Sequence, residues 1–113
     1  MNNILNKEDH NLILESLVSK YISKYKNEMK LFLSKLKEQF KHNKQARQIL
    51  LNYSKDRNLS KVDAETLKTI SKDILKMLGL GGIIILPGGS LLMVFIFKLA
   101  KILKIDVIPS QFV

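Results

Sequence analysis

Cysteine and tryptophan are absent from this 113-residue chain, and proline, arginine and histidine occur only twice each. Without cysteine there is no disulfide framework and no thiolate metal site, and the redox compartment leaves no trace. His10 and His42 lie far apart with no ligand spacing around them. Both therefore read as surface residues, because a metal site needs several convergent ligands. Catalytic signals are missing as well. Ser90 has no histidine near it in sequence, and a nucleophile needs a base within hydrogen-bond reach. Asp63 and Glu65 read as first-turn helix acids. The glycines from Gly82 to Gly89 are followed by no Lys-Ser or Lys-Thr, so they form no phosphate-binding loop. The expectation is a chain that is not an enzyme, with no cofactor and no small-molecule substrate. The opening residues, Met1 to Leu5, lack the basic and apolar regions of a secretory leader, and export by that route is not expected.

What is present in excess is lysine. Nineteen basic residues stand against ten acids, giving a net charge of +9. Such a balance selects anionic partners, either lipid headgroups or nucleic acid. Arg47 and Arg57 are the only arginines. Since bidentate phosphate and base readout prefers arginine, the charge favours diffuse attraction to a surface. Lys24, Lys30 and Lys37 on the first helix, with Lys98, Lys101 and Lys104 near the C-terminus, are the candidate contacts to an anionic surface.

Periodicity predicts an all-α fold. Apolar residues recur at Leu14, Val18, Tyr21, Tyr25, Met29, Phe32, Leu36 and Phe40, an eleven-residue rhythm close to that of a straight helix. One long amphipathic helix is expected from about Lys7 to His42, within a basic segment 1–45. Ala46, Ile49, Leu50 and Tyr53 predict a shorter helix at about 44–56. Ser60 with Asp63 three residues on resembles a capping box with a shortened acid. It opens a third helix with Leu67, Ile70, Ile74 and Met77 inward, which then meets Gly79, Gly81 and Gly82.

From Met77 to Phe97 the chain runs 21 residues without a charge. About 20 apolar residues cross a hydrocarbon core of about 30 Å, so this run has the length of a membrane span. Pro87, Gly88, Gly89 and Ser90 interrupt it. Pro87 lacks an amide hydrogen, the glycines loosen the backbone, and Ser90 is placed to cap a new helix over Leu91 to Ile105. Ile83 to Leu86 has the composition of a buried strand but no other β-rich run to pair with, and a helical reading is preferred. The expectation is a broken membrane segment, spanning or re-entrant, with Lys72 and Lys76 on one flank and Lys98, Lys101 and Lys104 on the other. Irregular backbone at that depth must be covered, which implies self-association or a partner. The competing reading is a bundle that uses the run as its central helix.

Residues 46–113 resemble the LETM-like family, the leucine-zipper, EF-hand-containing transmembrane proteins and their shorter bacterial relatives. The resemblance is carried by Leu86-Pro87-Gly88-Gly89-Ser90-Leu91-Leu92, then Lys98, then Pro109, Ser110 and Phe112. It implies an inner-membrane helix joined to a helical domain, cation/proton exchange, and association with ribosomes. Ser90 stands where that family carries a membrane carboxylate, so Met77 to Phe97 holds no group to titrate. No EF-hand loop is present. The expected protein is a basic helical interaction module at the bacterial cytoplasmic membrane, with its basic part cytoplasmic and lipid and the ribosome as partners. The alternatives are a component of a cation/proton transport system and a soluble basic RNA-binding protein.

Overall fold

The structure, a computed structural model, describes the backbone of residues 7–110 and the side chains of residues 11–110. Phe112 of the family motif and the side chain of His10 lie outside the described residues. The fold is all-α: α1 (Lys7–His42), α2 (Lys44–Asp56), α3 (Lys61–Met77) and α4 (Leu91–Leu103). The caps follow the local sequence. The Asn43 side chain accepts from the Ala46 N–H at 3.2 Å, and Ser60 Oγ accepts from the Asp63 N–H at 3.1 Å, satisfying helix donors that have no partner within their own helix. On α2, Ala46, Ile49, Leu50 and Tyr53 are buried as their spacing predicts. On α3, Leu67 and Ile74 are buried, but Met77 is 67 % exposed and Leu75 takes the inward place.

The first helix carries its apolar stripe as expected but is not straight. Tyr25 has non-helical backbone angles, φ −131° and ψ 40°. Before it, α1 packs on α4: Tyr21 meets the edge of Phe95, with ring centroids 6.1 Å apart, and Glu15 and Val18 share a groove with Lys98 and Ile102. After it, Ser34, Lys37 and Lys41 line a groove with Ile105 and Asp106. Tyr25 thus divides α1 into two arms. Leu14, Val18 and Tyr21 on one arm, and Met29, Phe32, Leu36 and Phe40 on the other, join one core with α2, α3 and α4. An apolar stripe is buried equally well by a straight or a bent helix, so periodicity carries no sign of the bend.

The expected membrane segment is overturned. No helix among the described residues is long and apolar enough to cross a membrane. Met77 ends α3, residues 78–90 contain no helix, and α4 has 13 residues, which makes it about 20 Å long at 1.5 Å per residue. Seven apolar side chains of the run instead belong to a protein core: Leu92, Met93, Phe95 and Ile96 are 0 % exposed and Leu80, Ile84 and Leu86 at most 6 %. Three local causes break the helix. The N–H of Leu80 donates to the carbonyl of Leu75 at 2.7 Å and that of Gly79 to Lys76 at 3.0 Å, a Schellman termination that needs a left-handed residue; Gly79 supplies it at φ +78°. Gly81 lies directly against Lys76, where an added Cβ would come within 2.6 Å of the lysine side chain. Pro87 then removes a helix donor.

Between these breaks, the Ile83–Leu86 stretch is not helical, contrary to expectation. The Tyr21 hydroxyl donates to the Ile85 carbonyl at 3.1 Å and accepts from the Ile85 N–H at 3.0 Å. One buried side chain on α1 thus satisfies both peptide groups of a residue 64 positions away, replacing bonds that a helix would have supplied. Pro87, Gly88, Gly89 and Ser90 form the end of this connection rather than a kink inside a helix. Ser90 is itself in the αR region and its side chain caps nothing. The helix it precedes stops at Leu103, two residues short of the expected end, because Lys104 turns left-handed at φ 57° and the Ile105 N–H closes back on Ala100 at 2.9 Å.

Candidate polyanion interface

Lysine is the chemistry-bearing residue of this chain, so the candidate site is the place where the fold gathers lysines. Of the six expected contacts, the structure brings together three. Lys37 on the second arm of α1 borders the groove that contains Ile105 and Asp106. Lys101 and Lys104 at the end of α4 border an adjoining groove of about 390 Å³ that shares both residues. Lys41, not singled out by the sequence reading, completes the cluster from α1. Its signal was available, since it follows Lys37 by four residues on a helix, but its place beside Ile105 and Asp106 was not. Glu38 and Asp106 are the acids of the cluster, leaving it positive.

The other three lie outside these two grooves, although Lys98 lines a third with Lys101. Lys98 is half-buried and paired with Glu15 at 3.7 Å, so it serves the packing of α4 on α1. Lys24 sits over the ring of Tyr25 at 5.6 Å. Lys30 is exposed and, like Lys24, lines none of the grooves described. Of the family-motif residues, Leu86 and Leu92 are core, Leu91 is half-buried, Pro109 is buried and Ser110 is exposed. Leu86 and Leu92 join the core that α4 shares with the other helices.

Two features make the α4 end more than a solvated lysine face. Lys104 is one of only two non-glycine residues at positive φ among those described, the other being Arg57. An L-residue in that region costs about 1–2 kcal/mol, and glycine is the usual occupant of a helix C-terminus. Both places here hold a cation, which the negative end of the helix dipole favours. Phe97 is the aromatic in the groove wall, held at 5.8 Å from Tyr53, and aromatic faces beside lysines are the platforms on which unpaired bases stack. The groove has no nucleophile–base pair, and no group of three or more metal-ligating side chains occurs among the described residues. No family model, curated protein or solved structure matches the chain, and the LETM-like resemblance therefore rests on its sequence motif alone.

Proposed function

We propose that this chain is a basic helical docking module for a polyanion of the RNA class, and that the end of α4 with the second arm of α1 is its contact face. The observation that carries this reading is how few lysines the fold uses. Among the described residues, one ion pair forms, Lys98 with Glu15, and no other described cation lies within 4 Å of a described carboxylate. Charge that does not stabilise the fold is available to a partner, and phosphate contacts with release of counterions are the dominant source of affinity for a basic protein on nucleic acid. Ribosome association, which the LETM-like resemblance implies, belongs to this reading, with ribosomal RNA as the polyanion. The cation-exchange alternative was argued from an intramembrane segment, and no helix among the described residues is long and apolar enough to cross a membrane.

The test is fluorescence anisotropy with a labelled single-stranded RNA, together with cosedimentation with ribosomes, across a salt series. Wild-type affinity is expected to fall with a log–log salt slope of about −2 to −3, corresponding to three or four phosphate contacts at about −0.7 each. Lys37→Glu/Lys104→Glu is expected to weaken binding at least about tenfold, roughly 1.4 kcal/mol. Lys24→Glu/Lys30→Glu changes net charge equally and is expected to cost less than about threefold. Equal losses for the two pairs, or no salt-sensitive binding by the wild type, would overturn the assignment.

A further inference from the structure

A second surface lies where the connection between α3 and α4 runs along α3. Lys68, Lys72 and Lys76 follow at four-residue intervals on α3, which stacks them on one helix face about 6 Å apart. Lys68 and Lys72 line a cleft of about 220 Å³ with Leu75, Gly81 and the Ile84–Leu86 stretch. The connection there is apolar yet unburied: Ile83 is 54 % and Ile85 77 % exposed, while their neighbours Ile84 and Leu86 are buried. Alternating exposure is the pattern of a β-edge with one face on a core.

The backbone supports the same reading. The N–H and the carbonyl of Ile85 both reach the single hydroxyl of Tyr21, which requires them to point the same way, as they do in an extended residue. Alternation then turns the carbonyl of Ile84 and both peptide groups of Leu86 to the opposite edge. Among the described residues these three groups have no partner. Pro87 falls on the Tyr21 side of the alternation, so its missing N–H leaves the free edge intact; edge strands are where proline is tolerated.

We infer that this edge takes an extended acidic peptide, added beside Ile84–Leu86 as a short strand. Its main chain pairs with the free groups, an apolar side chain covers Ile85, and its carboxylates meet Lys68 and Lys72. Strand addition of this kind draws affinity from main-chain hydrogen bonds and specificity from alternate side chains, and an edge already held by Tyr21 loses little freedom on binding. Nucleic acid suits this cleft less well than the α4 end, because no aromatic residue lines it and it offers no platform for base stacking.

The experiment titrates the full chain into a fluorescein-labelled octapeptide of alternating Asp and Val. Two control peptides carry Lys in place of Asp, or N-methyl groups on alternate residues that abolish strand pairing. Saturable binding with a Kd of about 100 µM is expected. It should weaken at least about tenfold in Lys68→Glu/Lys72→Glu and with the N-methylated peptide, and stay unchanged in Lys37→Glu/Lys104→Glu. Circular dichroism of the variants checks that both lysine pairs leave the helices intact. The inference is overturned by no saturation up to about 1 mM, by equal binding of the lysine peptide, or by indifference to Lys68→Glu/Lys72→Glu. Because RNA binding is assigned to the other lysine pair, either surface can fail without the other.

Discussion

Phe95→Ala is expected to destabilise the protein by about 3–5 kcal/mol, the range for removing a fully buried phenylalanine and leaving a cavity. Phe95 is 0 % exposed, lies within the stretch that reads as membrane-like, and packs edge-on against Tyr21 on the first arm of α1. Single domains have about 5–15 kcal/mol of stability in total, so this one substitution removes a large share of it. A drop in melting temperature of roughly 12–20 °C follows, at about 4 °C per kcal/mol for a domain of this size. The comparison is Met77→Ala at the start of the same charge-free run. Met77 is 67 % exposed, and its truncation should stay within about 0.5 kcal/mol. Were lipid the solvent of this run, the two residues would both face acyl chains and the contrast would vanish. Thermal or urea unfolding followed by circular dichroism in detergent-free buffer reads the difference.

Tyr21→Phe is expected to cost about 1–3 kcal/mol, although it deletes a single oxygen atom. That oxygen carries two hydrogen bonds to Ile85, and a buried donor or acceptor left without a partner loses most of its solvation without return. The phenyl ring keeps its place against Phe95, so the loss isolates the latch from the packing. Hydrogen exchange at the Ile85 amide should accelerate more than exchange in α2, because the defect frees the connection before it frees the rest. The Tyr21→Phe and Phe95→Ala effects should not add, since the two side chains are in contact and share one cavity.

How far the fold could be read from the residues differs from element to element. The α2 boundaries, its four buried residues and the Ser60 cap of α3 were all legible, because each depends on a few neighbouring side chains. The inner stripe of α1 was legible too, but the bend at Tyr25 was not, since both arms bury the same period. The run from Met77 to Phe97 misled for a definite reason. Freedom from charge is demanded equally by lipid and by the centre of a small bundle, and composition does not distinguish them. Its breaks at Gly79, Gly81 and Pro87 were visible, yet their meaning depended on Tyr21, 64 residues from Ile85. At the candidate site, Lys37, Lys101 and Lys104 were identifiable as basic residues on two helices. Their convergence with Lys41 depends on how the second arm of α1 packs beside Ile105 and Asp106. Lys98 was identifiable as basic in the same way, but Glu15 takes it.

The central claim is that the α4 part of the Met77–Phe97 stretch lies in a folded protein core. Hydrogen exchange across α4 in aqueous buffer, with and without added lipid vesicles, tests it most directly. The amides from Phe95 to Leu103 are expected to be among the slowest in the chain without any lipid, and vesicles should leave them unchanged. Rapid exchange of these amides in buffer, with protection appearing only when a bilayer is supplied, would contradict the account.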